Sequence, residues 1–268
     1  VLAQDLYVRS AIIQPPAIEV GGFGNVVSGV DFDGDGKIEI YAVNNNVNDT
    51  PDEVIPRIYK YELNNGTWEL VWSTVLPGVE KQNTWPALTY GDWDNDGKME
   101  IIWGPVNNYS GTVNQNPARI VVYEEKGDGS DIMGVDNGDG TFKPNAQWTM
   151  VNANSYNLRP IRWFLTDIDE DNQKEIVFCS RVAGERFGII SVSNIPDNAD
   201  GSETWTMEAT GLGMTNIDAS TIYDMAILDN VIYLFSQNGT ISTIKRENGV
   251  WTAMPKQVNA APGGSWLS

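Results

Sequence analysis

Three nine-residue stretches carry a pattern from which chemistry can be read. Asp31 to Glu39 reads D-x-D-x-D-G-x-x-E, Asp92 to Glu100 repeats it, and Asp167 to Glu175 repeats it with Asn172 in the glycine place. A hard cation explains the spacing, because calcium takes six to eight oxygen ligands at about 2.3–2.6 Å. Carboxylates at loop positions 1, 3 and 5 can turn inward together, and a backbone carbonyl at 7 with a Glu at 9 can close the shell. Position 6 must turn sharply. Gly36 and Gly97 suit it because glycine accepts positive φ, and asparagine is the next most tolerant type.

The plain alternative is three acidic surface turns without metal. Each copy places four carboxylates within nine residues, and unpaired like charges that close repel strongly. Three copies therefore favour about three calcium sites. An EF-hand needs a twelve-residue loop between helices, with its Glu at position 12. Here Glu39, Glu100 and Glu175 stand at position 9 and apolar residues follow, which favours a strand–loop–strand hairpin.

Composition narrows the function classes. The chain has 268 residues and 41% hydrophobic content, enough for a large all-β domain rather than a disordered polymer. Its net charge is −19, which three divalent cations would bring to −13. What remains is still acidic, with no basic patch to meet nucleic-acid phosphates. There is no His, so the commonest general base and transition-metal ligand are missing. Cys179 is the one cysteine and follows Ile176-Val177-Phe178, as a buried, unreactive thiol would, and no disulfide can form within the chain. No apolar run approaches the length of a membrane span. Weak calcium sites fill at the calcium levels found outside cells, so an extracellular or cell-surface protein is expected. Val1-Leu2-Ala3-Gln4 fits either the end of a signal peptide or an ordinary N-terminal strand.

The elements that hold the loops recur in phase. First aspartates stand at 31, 92 and 167, and an eroded fourth copy starts at Asp224, where Ala226, Leu228 and Ile232 replace ligands. A plain hairpin turning at Asp229-Asn230 is expected there. Each unit closes on a tryptophan strand at Trp68, Trp148, Trp205 or Trp251. A further strand precedes each of these, over 57–62, 119–124, 188–192 and 240–245. Asn65-Gly66 and Asn238-Gly239 are turn signals. Four-stranded units in tandem predict an all-β propeller of antiparallel blades. Its blades span about 22–79, 86–152, 160–210 and 220–258, with the start of another at 263–268. A β-sandwich offers no reason for in-phase repeats. Residues 1–21 form an N-terminal segment, with one strand over Leu6 to Ile13 ended by Pro15-Pro16. In blade two, 126–140 reads as a mobile acidic tip holding Asp128, Asp131, Asp136 and Asp139.

Phe23-Gly24 through Asp31, with Trp103-Gly104-Pro105 after the second loop, resembles the FG-GAP repeat of integrin-α-type propellers and the related VCBS repeats. That resemblance implies calcium in the hairpin between the first two strands of a blade. The implied ligands are Asp31, Asp33, Asp35, Glu39 and the Lys37 carbonyl; Asp92, Asp94, Asp96, Glu100 and the Lys98 carbonyl; and Asp167, Asp169, Asp171, Glu175 and the Gln173 carbonyl. Asn172 departs from the family's glycine, and the fourth unit departs entirely.

Function divides into two expectations. One is a secreted, non-catalytic, calcium-stabilised propeller for adhesion, partner binding or assembly of a surface or filament structure. A sharper form of it has residues 6–13 and 263–268 of different copies complete one another, the alternative being a chain cut short within its last blade. The other is a carbohydrate-active lyase or hydrolase, or its carbohydrate-binding module, although no acid/base pair stands out. Trp85, Trp103, Asn107 and Tyr109, with Asn108, form the candidate surface for a sugar or an extracellular protein. Asn48, Asn65, Asn108 and Asn238 head N-x-S/T sequons and are candidate glycan acceptors.

Overall fold

Ile40-Tyr41-Ala42-Val43, Ile101-Ile102-Trp103 and Ile176-Val177-Phe178-Cys179 are unbroken apolar runs, the pattern of strands covered on both faces. The computed structural model describes residues 11–45, 55–76, 86–105, 118–150, 160–181 and 184–258. It places each run in the second strand of a four-stranded antiparallel sheet.

Sheet one is β1 (Phe23–Val30), β2 (Glu39–Asn44), β3 (Arg57–Asn64) and β4 (Thr67–Val75). Sheet two begins with β5 (Ala87–Gly91), β6 (Glu100–Gly104) and β7 (Ile120–Glu124). A separate small hairpin of β8 (Val135–Asp136) and β9 (Phe142–Lys143) precedes its last strand, β10 (Ala146–Trp148). Sheet three is β11 (Pro160–Thr166), β12 (Glu175–Ser180), β13 (Phe187–Val192) and β14 (Trp205–Thr210). Sheet four is β15 (Ile222–Leu228), β16 (Val231–Ser236), β17 (Ile241–Glu247) and β18 (Val250–Ala253). Strands in every sheet lie in chain order, and the described residues contain no helix.

Three apolar cores lie between successive sheets. Tyr41, Ile58 and Trp72 of sheet one meet Ile101, Trp103 and Tyr123 of sheet two. The opposite face of sheet two, with Ile102 and Val122, meets Trp163, Ile176 and Phe178 of sheet three. Val177, Cys179 and Ile189 on the next face meet Met225, Ile232 and Leu234 of sheet four. Period-two alternation thus sends neighbouring residues of one strand into two different cores, so the runs 40–43, 101–103 and 176–179 are apolar on both faces. The phased tryptophans serve the same layers: Trp205 stacks on Trp148 at 5.6 Å and meets Trp93 edge-on at 5.6 Å. Cys179 is fully buried, and burial pushes its thiol well above the usual range.

Tight turns close the hairpins as their residues require. Asn65-Gly66, Asp229-Asn230 and Asn248-Gly249 all have both φ values positive, the two-residue geometry matched to strand twist.

Three expectations change. Ala11 to Ile13 carry no strand, and the rest of the 6–13 strand lies outside the described residues, as do 263–268. The leading segment instead anchors through buried Glu19, which accepts Tyr59 Oη–H at 2.5 Å and Arg57 at 3.2 Å. The 126–140 insert is not a free tip. Met133 is fully buried and takes the Tyr41 hydroxyl at 3.3 Å, while Asp131 reaches Lys60 at 2.9 Å. Asp128, Asp136 and Asp139 do remain exposed. Trp103 is the third correction. It is 0% exposed in the core between sheets one and two, so it offers no surface to a ligand. The next residue points into the other core of sheet two and shows how tight it is: a Cβ on Gly104 would lie 2.8 Å from the Trp163 ring of sheet three.

Candidate metal centres

The three acidic loops join the first two strands of sheets one, two and three, and one backbone solution serves all of them. Position 6 has positive φ in each, at Gly36 (90°), Gly97 (93°) and Asn172 (72°). Position 4 does too, at Gly34 (74°), Asn95 (63°) and Glu170 (65°). Glycine and asparagine accept this region cheaply, and Glu170 does so at a cost of order 1 kcal/mol.

That backbone turns the acids inward. Asp31 Oδ2 accepts the Gly36 amide at 2.9 Å, and Asp167 Oδ2 accepts the Asn172 amide at 3.0 Å. Position 5 accepts the amide of position 7 at 2.8 Å in all three, through Asp35, Asp96 and Asp171. The glutamate at position 9 returns from the second strand to accept the position-2 amide: Glu39 from Phe32, Glu100 from Trp93 and Glu175 from Ile168. Phe32, Trp93 and Ile168 are themselves buried, so an apolar side chain pins each loop to its core.

Carboxylate oxygens converge as a result. Asp31, Asp33, Asp35 and Glu39 bring one oxygen each within 4.8 Å of one another, and Asp92, Asp94, Asp96 and Glu100 do the same. In the third loop Asp167, Asp169 and Glu175 meet this limit, and Asp171 stands outside the group. Glu39 Oε1, Asp92 Oδ1, Glu100 Oε1 and Asp169 Oδ1 are buried there without a hydrogen-bond partner. A buried carboxylate oxygen left so is costly unless a cation meets it. The residues present therefore fit a hard, oxygen-seeking metal ion.

Electrostatics agree. Burial, opposed by the position-2 amide and reinforced by neighbouring aspartates, raises Glu39 to about 7, Glu100 to about 9 and Glu175 to about 8. These folded-state values lie above the ordinary 4.5. Their favourable contribution to the cation-free fold is therefore full below about pH 4.5 and is lost as pH rises through about 7 to 9. An entering cation must displace the same protons. Metal affinity is expected to climb by up to about tenfold per pH unit between pH 6 and 9. Titrations at several pH values check this; a flat profile would contradict it.

Lysine side chains were not part of the sequence expectation, which used only the Lys37 and Lys98 carbonyls. Lys37 Nζ bonds Asp35 at 2.6 Å and Glu62 at 2.7 Å. Lys98 Nζ contacts Asp96 at 3.2 Å, Glu124 at 3.3 Å and Asp197 at 2.5 Å. Glu62 and Glu124 face Glu39 and Glu100 across the β2–β3 and β6–β7 ladders. Two further acidic groups arise in this way, Asp33–Glu62–Asp131 and Asp96–Glu124–Asp197, each already sharing lysine ammonium groups.

Of the proposed partner surface, Trp85, Asn107 and Tyr109 lie outside the described residues, with Asn108. Among the sequons, Asn65 is exposed at its turn. Asn238 is also exposed, but its Nδ2 donates to both Asp218 oxygens, at 3.3 and 3.4 Å. Asn48 lies outside the described residues.

Antiparallel four-stranded sheets carrying cation-ready acidic hairpins define the class. Residues 31–103, from the first loop into the strand after the second, match the FG-GAP-like repeat family. The sequence matches no curated protein. Among solved structures it is similar to a Bacteroides fragilis protein described as a candidate 6-phosphogluconolactonase. The two share 15% identity with a TM-score of 0.45, over 87% of this chain and 56% of that one. The chain thus matches little more than half of that structure's length.

Proposed function

We propose that the chain is a calcium-stabilised β-propeller acting outside the cell as a non-catalytic module for adhesion, partner binding or assembly. The observation that carries this is the recurrence of one loop geometry at the same corner of three successive sheets. Radial order supports the propeller: β5 lies against both β1 and β11, and β11 lies against β15, so first strands neighbour first strands. The ligands are the acids of the three loops, with the carbonyls of Lys37, Lys98 and Gln173 closing each shell. Calcium fits better than magnesium, which holds near-ideal octahedral geometry and keeps its waters. The ions are structural, since the converging acids leave no room for a substrate between them.

Loops on a rigid scaffold bind partners, and the partner class proposed is an extracellular protein, a glycan or a further copy of the chain. Nucleic acid is disfavoured by the net charge of −19. One observation favours the enzymatic alternative. Burial raises Glu124 to about 8, while Lys98 holds neighbouring Asp197 below the ordinary range, and such split carboxyl pairs can do acid/base work. A glycan and extracellular-protein array, run with and without calcium beside a polysaccharide turnover screen, separates the two. Calcium-dependent binding without turnover is the expected result. Turnover lost in Asp197→Asn would place the protein among carbohydrate-active enzymes.

A further inference from the structure

Position 3 of every acidic loop holds an aspartate whose two oxygens are used differently. Asp33 Oδ2 takes the fully buried Lys60 ammonium at 2.6 Å. Asp94 Oδ2 takes the Ile195 amide at 2.8 Å. Asp169 Oδ2 takes the Arg246 guanidinium at 2.7 Å, and the same Nη1 also donates to the Asp169 carbonyl at 3.0 Å. An ammonium, a backbone amide and a guanidinium thus do one job at equivalent places.

Two of the three donors share an origin. Ile195 follows β13 of sheet three and serves the loop of sheet two. Arg246 lies one residue from the end of β17 of sheet four and serves the loop of sheet three. Lys60 belongs to sheet one itself, but its other side is held by Asp131 from sheet two, at 2.9 Å. Loops two and three are therefore gripped, through their position-3 aspartates, by the following sheet, from the segment after its third strand or from near the end of that strand; loop one is gripped by Lys60 of its own sheet, which the next sheet steadies through Asp131. The second oxygen stays turned into the loop. Asp169 Oδ1 is buried there with no partner, and Asp33 Oδ1 and Asp94 Oδ1 meet only the long amide contacts of Asp35 and Asp96, at 3.2 and 3.3 Å.

We infer that Lys60, the Ile195 amide and Arg246 are positioning groups, each locking one carboxylate oxygen so that the other faces the cation, and that cation binding is thereby coupled to docking of the next sheet. This rests on the proposal that the loops bind calcium. The sign of the effect separates it from simple electrostatics. A nearby positive charge repels Ca²⁺, so deleting Arg246 would by charge alone tighten the third site. Positioning demands the opposite. Losing the group that orients a metal ligand weakens metal binding, commonly by 10–100-fold.

Arg246 suits the test because its side chain is 37% exposed, so its replacement leaves the cores intact. Hydrogen exchange at peptide resolution along a calcium titration gives a midpoint for each loop. Arg246→Met is expected to raise the midpoint of residues 167–175 by roughly tenfold, leaving 31–39 and 92–100 where they were. Arg246→Lys is expected to recover part of that shift, since an ammonium restores one of the two bonds. A midpoint that stays put or falls overturns the inference. So does exchange that rises equally at every calcium concentration, which is what a merely structural arginine would give. Loss of calcium-dependent protection from all three loops of the wild type would remove the metal reading itself, and this inference with it.

Discussion

Chelation with EDTA is expected to lower the melting temperature by roughly 10 °C. A site with a Kd of about 10⁻⁴ M in millimolar calcium stabilises the fold by about 1–1.5 kcal/mol. Three such sites act together, and each kcal/mol moves Tm by about 2–4 °C in a chain of this size. The physical cause is local. Four carboxylates whose oxygens lie within 4.8 Å in loops one and two repel or must bind protons once the ion leaves. Phe32, Trp93 and Ile168 then lose the loop geometry that seats them in the cores. With one cysteine in the chain, no internal disulfide can compensate. Excess calcium is expected to restore Tm in differential scanning calorimetry, and magnesium to restore little of it. An unchanged Tm would contradict the structural role of the ions.

Trp103→Ala is expected to destabilise the protein by about 3–5 kcal/mol, the usual loss for emptying a large aromatic site in a packed core. That corresponds to roughly 10 °C or more in Tm. Trp103 is enclosed by Tyr41, Val121 and their neighbours between sheets one and two, and a void there cannot close without moving two sheets. Trp103→Phe keeps most of the buried area and loses only an indole Nε1 that has no hydrogen-bond partner, so its cost is much smaller. Thermal or urea unfolding measures both. A Trp103→Ala variant as stable as the wild type would show that this layer is not packed as described.

The loops and their flanking strands were legible because their information is local. Nine consecutive residues specify the inward carboxylates, and Asn172 adopts the positive φ that its side chain tolerates at 72°. The hairpin at Asp229-Asn230 was legible for the same reason. Trp103 was not. Its neighbours Gly104 and Pro105 and the asparagines that follow read as a loop edge, whereas sheets on both sides bury the whole run 101–103. That the strand has no polar alternation was the signal available.

The groups gripping the loops were hidden by distance in the chain. Lys60 lies 27 residues from Asp33, and Arg246 lies 77 from Asp169. Only strand register and sheet stacking bring them together. A fainter clue existed in Lys37 with Glu62 and Lys98 with Glu124, paired at matching repeat positions. Both charges vanish together in the third unit, where Gln173 stands in the loop. Extending the Ile176–Ile190 register puts Ser191 across from Glu175. The loop's own Lys174 reaches away to the Asp92 carbonyl of the second loop, and Arg246 supplies from the next sheet the positive charge that Asp169 meets.

The most direct test is the number of calcium ions bound per chain, by equilibrium dialysis in millimolar calcium. Three are predicted for the wild type, and two for Glu100→Gln, which removes the charge of a fully buried ligand. No bound calcium, or three ions retained by a variant carrying Glu39→Gln, Glu100→Gln and Glu175→Gln together, would contradict the account.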